Sequence, residues 1–257
     1  MRILVCVKQV PDPEAGFEPA AGQAGLLVAG GRYVMNPYDA HAVERALEIK
    51  EALPGVEVHA LTLGPERCRA VVHRALAMGA DRAFHVLCDE DAWIPPAQTA
   101  RAIARALEGG AYDLVITGAL ATDDEAACAG PYLAGLLGWE TACFVVSAIP
   151  AADGKSITVR KEGEGGSLWE SLLRLPAVLT AQTTEHSPRW PSLSNMLRAN
   201  RAEVTVLDFE ALETGPETEE LEELAEPEER PSGLFLQGTT EEKAREFCRI
   251  LRERGLL

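Results

Sequence analysis

The sequence contains no CxxC pair, no hydrophobic run long enough to cross a membrane, and no surplus of basic charge. The six cysteines, at positions 6, 68, 88, 128, 143 and 248, lack the paired spacing and neighbouring histidines of a zinc or iron–sulfur site. They read as reduced thiols of a cytoplasmic protein. From Met1 to Lys8 the longest continuous apolar run is the five residues Ile3 to Val7, too short for a signal-peptide core. Nothing later approaches the ~18 consecutive apolar residues of a spanning helix. The formal net charge of −16 repels nucleic-acid phosphates and anionic lipid surfaces, which argues against both as partners. Ten glutamates and no basic residue fall between Glu210 and Glu229, so one stretch carries most of that charge and suits a basic protein partner. Signatures of catalysis are missing too: there is no GxSxG, HExxH, Walker loop or GxGxxG. His41, His73 and His85 fall within helix or strand patterns and read as surface or satisfied core residues, leaving no nucleophile beside a base.

What is present is a regular alternation. Of the 257 residues 47% are hydrophobic, enough for one substantial core and a smaller lobe. The run Ile3 to Val7 predicts a strand buried on both faces, and Ala40 to Leu53 carries apolar residues at helical spacing. The pattern repeats as strand Val56 to Leu63 with a helix closed by Gly79, strand Ala83 to Leu87 with helix Pro96 to Leu107, and strand Leu114 to Thr117 with helix Ala126 to Leu137. Four such units predict an α/β fold: a doubly wound, mostly parallel, Rossmann-like sheet with helices on both faces. Ala142 to Ile149, Ser156 to Val159 and Leu168 to Leu173, separated by glycine turns, predict antiparallel additions. Residues 1–186 are expected to form the nucleotide-binding domain, and 187–257 an extended, partner-wrapping arm with an acidic linker and a final helix from about Thr240 to Arg254.

Ligands of such sheets bind beyond the carboxyl ends of the strands, here the loops from Lys8, Gly64 and Gly118 onward. The third loop is the most informative, because Gly118, Ala119, Ala121, Ala127, Ala129 and Gly130 let backbone approach a ligand while the next helix offers free N–H groups to a phosphate. Two readings fit these residues: a phosphate cradle without a lysine, or a tight strand-to-helix turn with Asp123 or Asp124 as the helix N-cap. The Asp123-Asp124-Glu125 cluster has the residue types for a metal, and equally for capping a helix or hydrogen-bonding a ribose.

Five segments in order carry a likeness to a known family: Ile3 to Val10, Met35 to Ala46, Cys68 to Asp81, Gly118 to Ala134, and Pro188 to Ala199. Over nearly its whole length the chain resembles electron transfer flavoprotein beta subunits. The resemblance implies an electron carrier rather than a stand-alone enzyme, paired as a heterodimer with an alpha subunit that holds most of an FAD. It implies a nucleotide in this subunit, either AMP or the second FAD of an electron-bifurcating branch. The pocket it implies is built from Cys6, the turn Asn36, Pro37, Tyr38 and Asp39, Leu63, and the loop residues Gly118, Ala119, Ala121, Thr122, Asp124, Ala127, Cys128, Ala129 and Gly130. Leu120 and Cys128-Ala129 depart from the side chains usual there, which implies a weakened, altered or empty site. The family also places a docking segment for flavin dehydrogenases such as acyl-CoA dehydrogenase at Pro188 to Ala199, with Leu193 as its anchor; taken alone, Leu193 could equally pack beneath its own arm. Tyr38 falls near the alpha-subunit flavin by resemblance, and as an isolated residue would serve as a helix staple. The alternative reading is a stand-alone adenine-nucleotide-binding regulator of the universal-stress type.

Overall fold

The computed structural model describes residues 1–12, 14, 31–89, 94–184, 186–212, 214–216, 219 and 233–257. Most of the glutamate run lies outside them. The first strands are β1 (Arg2–Cys6), β2 (Gln9–Pro11) and β3 (Tyr33–Met35), followed by α1 (Pro37–Ala52). Next come β4 (Glu57–Gly64), α2 (Arg69–Met78), β5 (Arg82–Leu87), α3 (Pro96–Ala106), β6 (Leu114–Gly118) and α4 (Ala129–Leu137). The chain continues as β7 (Glu140–Pro150), β8 (Ser156–Glu162), β9 (Leu168–Arg174), β10 (Ala177–Ala181), α5 (Leu193–Ala199), β11 (Thr205–Asp208) and α6 (Thr240–Glu253).

Nine strands form one sheet in the order β11-β5-β4-β1-β6-β10-β7-β8-β9, while β2 and β3 pair as a small ribbon. Neighbours from β11 to β7 are parallel; β8 and β9 add antiparallel. The expected doubly wound sheet is thus present, with one refinement: β7, read as the first antiparallel addition, lies parallel to β10. Successive side chains of a strand point to opposite faces, and β1 shows the result. Ile3 and Val5 join the core beneath α1 and α2, while Leu4 joins the core beneath α3 and α4. All three are at most 1% exposed. Each such side chain stabilises the fold by roughly 1.5–3 kcal/mol, which a five-residue strand needs on both faces.

Helix starts follow local chemistry. Pro37 and Pro96 open α1 and α3 in their first turns, where a missing N–H costs nothing. Helix α4 begins three residues later than its apolar pattern predicts, because Glu125 and Ala127 adopt left-handed φ of 49° and 53°, which a right-handed helix cannot contain. Neither Asp123 nor Asp124 caps it; the capping position is Cys128, with no side-chain cap bond. Strand β11 pairs with β5 from within the segment expected to form an arm. The chain divides into compact units Met1–Leu224 and Ala225–Leu257, the second holding α6 behind a Thr239–Glu242 capping box.

Candidate functional site

Strand order reverses between β1 and β6: from β1 the chain builds outward through β4 and β5, then returns to place β6 on the other side. A crevice opens at such a switch point, beyond the strand carboxyl ends. Here it is a cavity of ≈ 710 Å³, within the range of small-molecule sites.

Asp39, in the first turn of α1, brackets the crevice. Its Oδ2 accepts the Lys8 backbone N–H at 2.6 Å and its Oδ1 accepts that of Gly118 at 2.9 Å, so one carboxylate joins the ends of β1 and β6 to a helix start. A Cβ on Gly118 would sit 2.3 Å from Asp39 Oδ1 and 2.8 Å from Tyr38 Cβ, which is why glycine stands there. Burial pushes the Asp39 carboxyl up to about 7, against the hydrogen bonds from Lys8, Asn36 and Gly118 that favour its charged form. Burial likewise pushes the Cys6 thiol far up, and the Cys88 thiol to about 11.

Asn36 supplies the second stitch. Its Nδ2 donates to the Leu120 carbonyl at 2.8 Å, while its Oδ1 is buried with no hydrogen-bond partner in the protein. A buried polar atom without a partner is costly and is usually served by a ligand or water. The loop of residues 119–128 is tied a third time at Lys8, whose Nζ lies 2.8 Å from carboxylate oxygens of both Asp123 and Asp124. Burial opposes the Lys8 charge, but the two carboxylates outweigh it and raise its pKa. The loop then delivers the α4 amino terminus, packed so closely that a Cβ on Gly130 would meet Thr180 Cγ2 at 2.6 Å and Thr117 Oγ1 at 2.9 Å. The N–H groups of Ala129 and Gly130, in the first turn, fall outside the helical ladder, at the positive end of the helix dipole.

Of the residues expected at the site, Cys6, Asn36, Asp39, Leu63, Gly118, Ala119, Ala121, Asp124, Ala127, Cys128, Ala129 and Gly130 line this cavity. Pro37, Tyr38 and Thr122 do not; Pro37 is exposed, Tyr38 half-buried behind Gly118, and Thr122 Oγ1 is buried without a partner. Leu193 stands apart, at the exposed start of α5. The cavity has further walls: Lys8, where the first of the expected loops begins, Arg67 and Cys68 beyond β4, and Ile94, Thr99 and Ile103 around α3. The cue for the latter was available, since α3 follows the strand beside β4. Among the described residues no cluster of three or more His, Cys, Asp or Glu could hold a metal, and no helix is long and apolar enough to cross a membrane.

Comparison with known proteins agrees with this architecture. Residues 25–212 match the family model described as electron transfer flavoprotein domain. A human protein named electron transfer flavoprotein subunit beta is 35% identical over 209 residues, covering 80% of this chain and 81% of the relative. The mitochondrial subunit beta of Oryza sativa subsp. indica is 36% identical over 247 residues, 94% of this chain and 95% of the relative. The subunit beta of Sus scrofa is 34% identical over 258 residues, 97% and 99% of the two chains. The doubly wound sheet, its switch-point cavity and these likenesses agree: the chain belongs to the electron transfer flavoprotein family, as a beta subunit.

Proposed function

We propose that this beta subunit works as half of a heterodimer with an alpha subunit that holds most of an FAD, and that its own cavity binds an adenine nucleotide, AMP or a second FAD. The observation that carries the reading is the switch-point cavity of ≈ 710 Å³, which receives the amino terminus of α4 and has in its wall Asn36, whose buried Oδ1 has no partner in the protein. A ribose hydroxyl or adenine amino group suits that acceptor, and a phosphate suits the N–H groups of Ala129 and Gly130. These phosphate contacts use backbone alone, so the small side chains at Cys128 and Ala129 do not forbid them. Asp39 uses both its oxygens on backbone N–H groups and acts by holding the walls in register.

An FAD held by the heterodimer would supply the electron chemistry between flavin dehydrogenases such as acyl-CoA dehydrogenase and an acceptor. This chain binds, orients and docks, with Leu193 as the dehydrogenase-facing anchor and Tyr38 toward the alpha subunit's flavin. Reduced thiols suit the cytoplasm. Should the nucleotide here be FAD, the heterodimer has the two flavins that bifurcation requires.

Counting nucleotides tests this. The chain is produced with its alpha subunit, denatured, and the released FAD and AMP are measured per heterodimer. One FAD with one AMP supports a one-flavin carrier, and two FAD a bifurcating one. One FAD alone overturns the nucleotide assignment for this cavity, and a colourless heterodimer overturns the carrier reading. A stable monomer or homodimer that binds ATP without an alpha subunit supports the universal-stress alternative.

A further inference from the structure

The segment from Pro188 to Asn200 is fastened to the α/β body first by Arg189. The Arg189 backbone N–H donates to Glu44 Oε2 at 2.8 Å, its Nη2 to Glu44 Oε1 at 2.8 Å, and its Nε lies 3.0 Å from both oxygens of that carboxylate. Its Nη1 donates to Glu51 Oε1 at 2.6 Å. Glu44 and Glu51 stand two turns apart on one face of α1, so the guanidinium forks along that face. A second fastening follows at once, with the Arg74 guanidinium of α2 4.9 Å from the Trp190 ring centroid. Pro191 is then buried, Ser192 caps α5 by accepting the Asn195 N–H, and Ala199 is buried where α5 packs on α2.

Against this anchoring the apolar residues stay outside. Trp190, Leu193 and Leu197 are 79%, 69% and 55% exposed. A tethered segment that presents a tryptophan and two leucines has the composition of an interface centre. Its charge is also unlike the rest of the chain. From His186 to Ala202, setting aside Arg189 itself, Arg198 and Arg201 are exposed and residues 186–202 hold no carboxylate, in a chain of net charge −16. The partner expected at this edge is therefore acidic, the opposite of what total charge suggests.

We propose that Arg189 is a positioning residue: its fork onto Glu44 and Glu51 holds Trp190, Leu193 and Leu197 as a preformed docking edge for a protein whose apolar pocket is rimmed by carboxylates. The proposal rests on the electron-carrier reading above. An unfastened segment would have to be ordered at each encounter, and the fork does that ordering beforehand.

The test uses the flavin-loaded heterodimer as electron acceptor for an acyl-CoA dehydrogenase reduced by its acyl-CoA. Leu193→Ala and Arg189→Ala are each expected to raise the KM for the heterodimer about tenfold, with kcat within about twofold and flavin content and Tm unchanged. Arg189→Lys is expected not to restore docking, because an ammonium cannot fork. Glu44→Gln with Glu51→Gln should reproduce the loss from the α1 side, which covers the case in which Arg189→Ala folds poorly. The Arg189→Ala, Leu193→Ala double variant should be no worse than the weaker-binding single variant, since one residue acts through the other. Additive losses would mean that Arg189 meets the partner directly and would overturn the positioning role. So would a rise in KM for Leu193→Ala that Arg189→Ala and the glutamine pair do not share. If the wild type accepts no electrons, or Leu193→Ala leaves KM unchanged, the docking reading itself fails and the proposal with it.

Discussion

At the scale of single residues, the site depends on contacts between positions far apart in the chain. Asp39 bonds Lys8, 31 residues away, and Gly118, 79 residues away; Lys8 in turn reaches Asp123 across 115 residues. Such pairs leave no periodic trace, so the family resemblance implies Asp39 at the site without revealing that it joins two strand ends. The glycine is better marked, because a strand running into a loop of small residues announces close approach. Gly118→Ala forces a Cβ to within 2.3 Å of Asp39 Oδ1, and we expect a loss of about 1–3 kcal/mol by urea unfolding and, under the nucleotide reading, less nucleotide recovered with the heterodimer. Asp39 also carries a pH signature. Its folded pKa of about 7 stands above the ~3.9 of an unfolded aspartate, so between about pH 4 and 7 the native state binds the extra proton. Stability from this group is complete below that window and lost as pH rises through it, the reverse of a salt-bridged carboxylate. Urea midpoints of wild type and Asp39→Asn, which has no proton to lose there, should therefore differ by amounts that change between about pH 5.5 and 8, with wild type losing ground as pH rises. A difference constant over that range would show Asp39 ionised throughout.

At the scale of elements, the boundaries that proline and glycine punctuate were legible. Pro96 opens α3 where expected, and Gly79 and Gly138 follow the ends of α2 and α4. The start of α4 was not, because Glu125 and Ala127 take left-handed conformations that no glycine advertises. Strand β11 was missed as well: four residues, mostly exposed on a sheet edge, show neither a continuous apolar run nor a clean alternation. The strained loop of residues 119–128 stays in place through its ties to Asn36 and Lys8. Each left-handed residue costs about 1–2 kcal/mol, while a partly exposed ion pair returns under ~1 kcal/mol, so the loop is poised and removal of one tie should loosen it. Lys8→Met is expected to speed amide hydrogen exchange across residues 120–128, leaving exchange in β1 and β6 unchanged, and, under the nucleotide reading, to weaken nucleotide retention about three- to tenfold. Unchanged exchange in the loop would show that Asn36 and backbone packing hold it without the lysine.

For the molecule as a whole, the fold class was readable because the period of hydrophobicity switches between strand and helix four times before residue 138. Burial of the far end was not, since it depends on what lies outside the chain. In register across the last three strands, Ile149 aligns with Thr158 and Thr158 with Leu172, and both apolar members are exposed, as is Leu168 along the same face. The Arg160–Glu170 ion pair lies among them. An exposed apolar sheet face of this kind marks an interface, and under the heterodimer reading its occupant is the alpha subunit. Leu168→Glu with Leu172→Glu should keep the chain monodisperse when produced alone and prevent a yellow heterodimer from forming, as read by size-exclusion chromatography with flavin absorbance. A heterodimer of normal yield would place the alpha subunit elsewhere.

The position of β10 bears on how the molecule is made. It is the strand that joins β6 to β7, yet it comes after β7, β8 and β9 in the chain. A ribosome therefore releases the three-stranded meander before the strand that attaches it to the sheet exists. Until Ala177 to Ala181 emerges, the two strand edges that β10 will cover, one on β6 and one on β7, stay open, each offering unpaired backbone to its neighbours on a polysome. The apolar residues β10 places on both faces of the finished sheet, Leu179 with one core and Val178 with the other, are the late closure of a seam that synthesis leaves open.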